Sequence, residues 1–422
     1  MSVARVASAA MTDGSLYLVL PVPFRQHEGK LWVEAQAANG LDRWADNFAR
    51  LTVAAPVIPE ALVPGLAGFV WRAVETLEHR DRIVCQTLPW AYTPGPFVKQ
   101  LGSTRARIGA AIEQSQHLQF AIGGVIGDWA AIAALEAIQR RRRYSIHTDR
   151  VEHELIRKTS ASAGTLRRLK IAVEAPIMER YHRHIISHCS LGLWHGDDCF
   201  RAYAPWAATG AHNHLIHDVH TTQADLIDDG SLTRKLDDIR HAPLLELTYA
   251  GRLDPMKAPL EWLAALSAAR DLGAQFRATW YGEGSLLGAA LAETARLNLT
   301  HLVSFPGFVS GRAALLGHVR AAHAMVFTHI TPESPRNLLE SLVCGTPIVG
   351  YDNAYAVNLL EGYGGGSLVR LHDTQALGAT IAALAADRER VVAMTKDAAR
   401  NGRRFTDASV FAERSNLIMQ YA

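Results

Sequence analysis

The sequence predicts an α/β protein of two domains, and three observations carry that expectation. Its 422 residues, 49% hydrophobic and 20% charged, suffice for two cores and are ordinary for a soluble globular chain. Short apolar runs alternate with stretches of helical period along most of the length, the pattern of parallel strands joined by crossover helices. A polar, Asp-rich stretch at 221–240 interrupts the alternation and reads as an interdomain connection. The expected division is 1–222, 241–405 and a helical tail 406–422, which lies beyond the last strand and is free to pack elsewhere.

In the first half, residues 16–22 read as a buried strand. The proline-bounded loop PVPFRQHEGK, with Gly29 at its tip, then leads to a helical stretch at 31–39. A loop at the carboxyl end of a first strand is where α/β sheets place ligands, so Gly29 is a candidate, with a plain turn as the competing reading. Strands follow at 51–58 and 82–86, separated by a mostly helical segment containing Trp71. The run FAIGGVI at 120–126, the turn Gly127-Asp128-Trp129 and the alanine-rich helix 130–140 form another strand, loop and helix. Arg140, Arg141, Arg142 and Arg143 close that helix, where cations complement the dipole. The same four arginines offer a patch for anionic lipid head groups or a polyanionic acceptor. A short strand at 144–148 puts His147 and Asp149 at or just past a strand end, a catalytic address in an open sheet. Two helices fill 151–186, and a strand at 191–194 ends in His195-Gly196-Asp197-Asp198.

His212, His214, His217 and His220 crowd into HNHLIHDVH, which invites a metal site. A strand at 215–219 would send their side chains to both faces, so no metal is expected. The net charge of +2, from 43 basic and 41 acidic residues, gives no global reason to expect nucleic-acid binding. Four cysteines without metal-finger spacing fit a reducing cytoplasm. Neither a secretory signal nor a spanning run of roughly 18 apolar residues is present, so the expectation is a cytoplasmic protein, soluble or peripheral at the inner face of a membrane.

The second half alternates cleanly, with strand-like runs at 244–250, 277–281, 303–305, 324–327, 346–351 and 367–371, and it predicts a Rossmann-like sheet. After the first run comes Gly251-Arg252-Leu253-Asp254-Pro255-Met256-Lys257, whose two cations could converge on one crevice as a diphosphate clamp. The second run ends in Tyr281-Gly282-Glu283-Gly284-Ser285, a turn that permits close backbone approach. The third ends in Phe305-Pro306-Gly307-Phe308, where Phe308 could hold a nucleobase or pack in the core. In TPESPRNLLESLVCGTPIVGYD, a helix is expected to start near Pro335 and stop at Gly345. Its opening N–H groups, from Ser334 through Asn337 and Leu338, suit an anion. Glu340, about a turn and a half in, could reach hydroxyls beside it.

The ordered set GRLDPMK, YGEGS, FPGFV, ESPRNLLE and CGTPIVG resembles the GT-B glycosyltransferases, most closely glycosyltransferase family 4. The likeness covers 244–373 well and is looser over the first 220 residues. It implies two facing Rossmann-like domains, the nucleotide-sugar donor held by the second and the acceptor by the first, with a final helix crossing back. It implies that Arg252 and Lys257 hold the donor phosphates, Glu340 the ribose hydroxyls and Glu333 the transferred sugar. The family's two glutamates usually have seven residues between them, whereas Glu333 and Glu340 enclose six. RYSIHTDR resembles the family's strand ending in a histidine near the reacting sugar, which points to His147, with Asp128 and Asp149 as rival acceptor contacts.

Breaking a glycosyl phosphate bond leaves negative charge on the departing diphosphate, so its electrostatic stabilisation is the main demand. Arg252, Lys257 and the helix start can supply it without a divalent cation or cofactor. The resemblance implies retention at the anomeric carbon. The expected function is thus a retaining, metal-independent hexosyltransferase using a nucleoside-diphosphate sugar. Its acceptor would be a glycan, a lipid-linked sugar or a small molecule, in bacterial-type polysaccharide or glycoconjugate synthesis. A nucleotide-sugar epimerase of the same fold and a non-catalytic nucleotide-sugar-binding partner are the alternatives.

Overall fold

The structure, a computed structural model, describes residues 14–66, 69–159, 165–331 and 335–422. They form two compact units, one running to Ile216 and including Phe411–Ala422, the other spanning His217–Val410.

The first unit contains β1 (Ser15–Val19), β2 (Phe24–His27), β3 (Lys30–Glu34), α1 (Ala35–Asn47), β4 (Arg50–Ile58), β5 (Trp71–Ala73), β6 (Ile83–Leu88) and α2 (Pro94–Gln114). It continues through β7 (His117–Ala121), α3 (Trp129–Gln139), β8 (Ser145–Thr148), α4 (Glu152–Thr159), α5 (Thr165–Ile186), β9 (Leu191–His195), α6 (Gly196–Tyr203) and β10 (His212–Ile216). The sheet runs β10-β9-β8-β7-β1-β4-β2-β3-β5, with β6 also on β4. Strands β10 through β4, and β6, are parallel. The chain order reverses between β1 and β7, the place where such sheets open a crevice.

This half departs from the sequence reading in several places. Residues 24–34 are an antiparallel hairpin, and the first helix starts only at Ala35. Its two-residue turn has positive φ at Glu28 and Gly29 (52° and 73°), the geometry that fits the twist of paired strands. Gly29 is therefore a hairpin turn residue and not part of a loop between first strand and first helix. The segment around Trp71 is short 3₁₀ turns and β5, not helix, because Trp71, Arg72 and Ala73 pair with Glu34, Val33 and Trp32. The strand placed at 120–126 stops at Ala121, where the glycines begin, and the one placed at 215–219 is β10, three residues earlier.

The second unit contains α7 (Asp229–His241), β11 (Leu245–Ala250), α8 (Pro259–Asp271), β12 (Phe276–Tyr281), α9 (Leu287–Arg296), β13 (Val303–Gly307), α10 (Arg312–Ala321), β14 (Ala324–Phe327) and α11 (Arg336–Val343). Then come β15 (Ile348–Tyr351), α12 (Ala354–Leu360), β16 (Gly366–Val369), α13 (Thr374–Ala386), α14 (Arg388–Gly402) and α15 (Asp407–Tyr421). The stretch read as a bare connection thus holds α7, capped by the Asp228 side chain on the Ser231 N–H (2.8 Å). All six strands are parallel in the order β13-β12-β11-β14-β15-β16, so the order reverses between β11 and β14. The central strands β11, β14 and β15, buried on both faces, make the middle of that core, and its two fully buried indoles donate to the Val326 carbonyl (Trp262, 3.0 Å) and the Gly251 carbonyl (Trp280, 2.9 Å).

From Phe411 onward α15 belongs to the first unit. There Phe411 meets Trp44 edge-on at 5.0 Å over Gly40, where a Cβ would stand 3.3 Å from the ring. Tyr421 stacks on His212 at 3.6 Å.

Candidate functional site

In the second unit, the loops after β11, β12 and β13 bind one another through their backbones. Gly251 N–H donates to the Tyr281 carbonyl (2.9 Å), Leu253 N–H to Glu283 (3.0 Å), Leu286 N–H to Leu253 (2.9 Å) and Gly282 N–H to Gly307 (2.8 Å). This packing explains both glycines of YGEGS. A Cβ on Gly282, whose φ is +144°, would overlap the Gly251 carbonyl, and one on Gly284 would stand 2.5 Å from the Leu253 carbonyl oxygen. Their close approach is to the neighbouring loop, which holds GRLDPMK in place.

On that loop, Arg252 is 72% exposed and pairs with Asp254 at 3.1 Å. Lys257, half-buried, ends a short 3₁₀ turn, and Ala258 after it takes a left-handed conformation (φ 45°) before Pro259 opens α8. The Lys257 and Ala258 carbonyls accept from the Thr328 hydroxyl at 2.8 and 3.1 Å, which ties the turn to the end of β14. Just beyond β14, fully buried His329 shares a 2.6 Å hydrogen bond with the Tyr249 hydroxyl. Burial holds its imidazole well below the usual histidine range, and the nearby Lys257 charge adds to that, so the ring is neutral. Sequence reading misses His329, although FTHITPESP places it just ahead of the helix start at Pro335.

The helix α11 begins after Pro335 and stops in a Schellman turn at Gly345 (φ 64°), with Gly345 N–H on the Leu342 carbonyl (2.9 Å) and Thr346 N–H on Ser341 (2.8 Å). Asn337 Nδ2 donates to the Ala250 carbonyl at 2.8 Å, which joins the helix start to the end of β11 at the switch point. The buried Asn337 Oδ1 has no partner among the described residues. Leu338 is buried, and its N–H is already bonded to Pro335, so it offers no free amide. Glu340, 17% exposed, accepts from Arg312 at 2.7 Å, a partner the sequence did not suggest. Phe308 is 74% exposed, which excludes core packing for its ring. Glu333 and Ser334 lie outside the described residues.

In the first unit, a cavity of about 570 Å³ opens at the carboxyl ends of β1, β4, β7 and β8 and is lined by Asp128, His147 and Asp149 among others. Gly29 does not line it. Asp128 is a structural cap: one carboxylate oxygen accepts from the Gly123 and Gly124 N–H groups (2.8 and 2.7 Å), the other from Ala131 at the start of α3 (3.0 Å). Asp149 is exposed and 3.6 Å from Arg150, which is equally far from Glu152. Burial raises the Glu152 carboxyl above the usual range; Arg150 opposes this, and the charges of Asp149 and Asp128 reinforce it. Glu152 was missed because in sequence it reads as a first-turn helix acid.

The histidine run diverges. His212 and His214 lie against Tyr421, whereas His217 packs on Tyr355 and Phe405 in the second unit. Among the described residues, no group of three or more His, Cys, Asp or Glu could hold a metal ion. Half of the arginine run is internal: Arg140 pairs with Glu136 and Glu113, and Arg142 donates to the Ile112, Ser115 and Gln116 carbonyls. Arg141 and Arg143 are exposed. No described helix is long and apolar enough to cross a membrane.

Residues 245–387 match the family model described as Glycosyl transferases group 1. No curated protein sequence matches the chain. Solved structures do. HepE from Anabaena in complex with UDP is 16% identical, with 96% of this chain and 100% of that one aligned at a TM-score of 0.57. Sucrose-phosphate synthase from Thermosynechococcus elongatus is 13% identical, covering 96% and 98%, at 0.55. The lipopolysaccharide outer core galactosyltransferase WaaB in its apo form is 10% identical, covering 96% and 99%, at 0.57. The chain has the GT-B fold of these structures, two α/β units with parallel-strand sheets.

Proposed function

We propose that the chain is a retaining glycosyltransferase that moves a sugar from a nucleoside-diphosphate sugar to an acceptor hydroxyl and needs no divalent cation. The observation that carries this reading is the switch point of the second unit. There the interlocked loops carry Arg252 and Lys257, and Asn337 anchors the start of α11 beside them. The Glycosyl transferases group 1 match over 245–387 covers the same elements.

In the reaction, the bond between the anomeric carbon and the phosphate oxygen breaks while the acceptor oxygen bonds to that carbon from the same face. The acceptor proton goes to the departing phosphate. Arg252, Lys257 and the first N–H groups of α11 take up the charge that develops on the diphosphate. Glu340 reaches the ribose hydroxyls once it exchanges Arg312 for them and Phe308 covers the base; Glu333, outside the described residues, is assigned to the transferred sugar from its motif alone. His147, on the cavity of the first unit, is the catalytic candidate on the acceptor side. That cavity favours a transferase over an epimerase, which has no second substrate to house. The protein works in the cytoplasm, with Arg141 and Arg143 available to an anionic membrane surface.

HepE binds UDP and UDP-glucose in its solved complexes, so these are the first ligands to test. Thermal-shift and calorimetric titration with nucleoside diphosphates and their sugars, followed by mass spectrometry and NMR of products, should show one preferred nucleotide and a glycoside of unchanged anomeric configuration. Absence of binding by any nucleoside diphosphate would refute the donor site. An inverted product would refute retention.

A further inference from the structure

We propose that the cavity of the first unit takes an acceptor whose reacting hydroxyl is carried next to an apolar alkyl or aryl group, rather than an all-polar glycan; this rests on the transferase reading above.

The wall of the cavity is formed by Pro21, Val22, Pro56, Phe69, Tyr92 and Ile126. Prolines bring no N–H, so the ends of β1 and β4 present few donors there. The backbone donors that the glycine loop would have offered, Gly123 and Gly124 N–H, are taken by Asp128. The Trp129 indole N–H, also on the lining, is taken by the Pro89 carbonyl at 2.9 Å. Apart from the Tyr92 hydroxyl and the engaged Asp128 and Trp129, the polar side chains of the lining gather at one edge, where β8 and the start of α4 bring His147, Asp149, Arg150 and Glu152. Two large apolar side chains of the wall, Tyr92 and Ile126, are 42% and 40% exposed.

A glycan laid on this wall would exchange water for a surface that returns few hydrogen bonds, which is unfavourable for every hydroxyl buried. An alkyl or aryl group gains there, by about fourfold in Kd for each methylene buried, the equivalent of about 0.8 kcal/mol. The polar edge then receives the hydroxyl end. A volume of about 570 Å³ lies within the range of small-molecule sites and suits a group of that kind.

The test titrates the full chain by calorimetry with methyl, butyl and hexyl β-D-glucoside, each below its micelle concentration, with UDP binding measured on the same preparation. The expected result is tightening along the series, with hexyl at least about tenfold tighter than methyl, corresponding to two buried methylenes. Ile126→Asp, at a half-exposed position, should remove the gain; Tyr92→Ser serves as the second variant if Ile126→Asp does not fold, as reported by its melting temperature. A flat series, or a gain that survives both substitutions, overturns the apolar-acceptor assignment, and intact UDP binding then leaves the transferase reading standing. Failure of the wild-type chain to bind any nucleoside diphosphate overturns the acceptor role together with that reading, whatever the series shows.

Discussion

Replacing Gly282 with alanine tests the interlocked loops most directly. Its φ of +144° is a conformation that residues with a Cβ rarely adopt, and forcing alanine into it costs about 1–3 kcal/mol. The new methyl would also overlap the Gly251 carbonyl oxygen and stand 2.8 Å from its carbon, and that oxygen cannot yield without breaking its 2.9 Å bond from the Trp280 indole. Overpacking of this kind adds about 1–3 kcal/mol. The sum, about 2–6 kcal/mol, is a large share of the stability of an ordinary domain. Gly288 is the control: it lies exposed in the first turn of α9 with open space around it, so Gly288→Ala should be neutral or stabilising by up to about 1 kcal/mol. Urea unfolding of both variants, followed by the fluorescence of the nine tryptophans, gives the comparison. Because the same strain displaces the loop bearing Arg252 and Lys257, nucleoside-diphosphate affinity should fall with stability. If Gly282→Ala unfolds within about 0.5 kcal/mol of wild type, less than the strain alone predicts, then the close contact of the two loops is wrong.

Three further outcomes are expected. Lys257→Ala should lower kcat/KM by about 2–4 kcal/mol of transition-state stabilisation, roughly thirtyfold to a thousandfold, and near-normal turnover would remove it from the clamp. Glu340→Gln should erase any preference for a ribonucleoside over a 2′-deoxyribonucleoside diphosphate; a preference that persists in calorimetry would place the ribose elsewhere. Lys235 is wholly buried, donating to the Arg320 carbonyl (2.9 Å) and the Thr346 hydroxyl (2.5 Å), and burial pushes its ammonium down to about 7. Between that value and its usual 10.5 the unfolded chain binds more protons, so this residue makes stability rise with pH by up to about 1.4 kcal/mol per unit. Subtracting the profile of Lys235→Met from that of wild type should isolate the positive slope above pH 7, and identical slopes would contradict it.

Much of the second unit was legible in the sequence because each of its elements is locally consistent. All six apolar runs became strands: the central β11, β14 and β15 are apolar along most of their length because both faces are buried, and β12 keeps its buried apolar residues at alternate positions. Proline before α11 and glycine after it marked that helix to within a residue, because capping chemistry is local. In the first unit, FRQHEGKLWVE carries no such signature. Its hairpin is decided by pairing with β4 and β5, which lie far away along the chain, and the same holds for Trp71.

What the sequence by itself determined was the α/β class, the order of loops at the strand ends, and the charged residues that sit on them. Only the tertiary structure decided what those residues touch. Asp128 on the cavity also caps three N–H groups; Glu340, read as a group for ribose hydroxyls, faces Arg312; the glycines of YGEGS serve the neighbouring loop. Glu152 joined His147 and Asp149 on one cavity only when β8 and α4 were placed. The physical reason is range: capping, turn and strand preferences act over a few residues. The partners of a side chain at a strand end come from segments tens of residues away, brought together by the order of strands in the sheet.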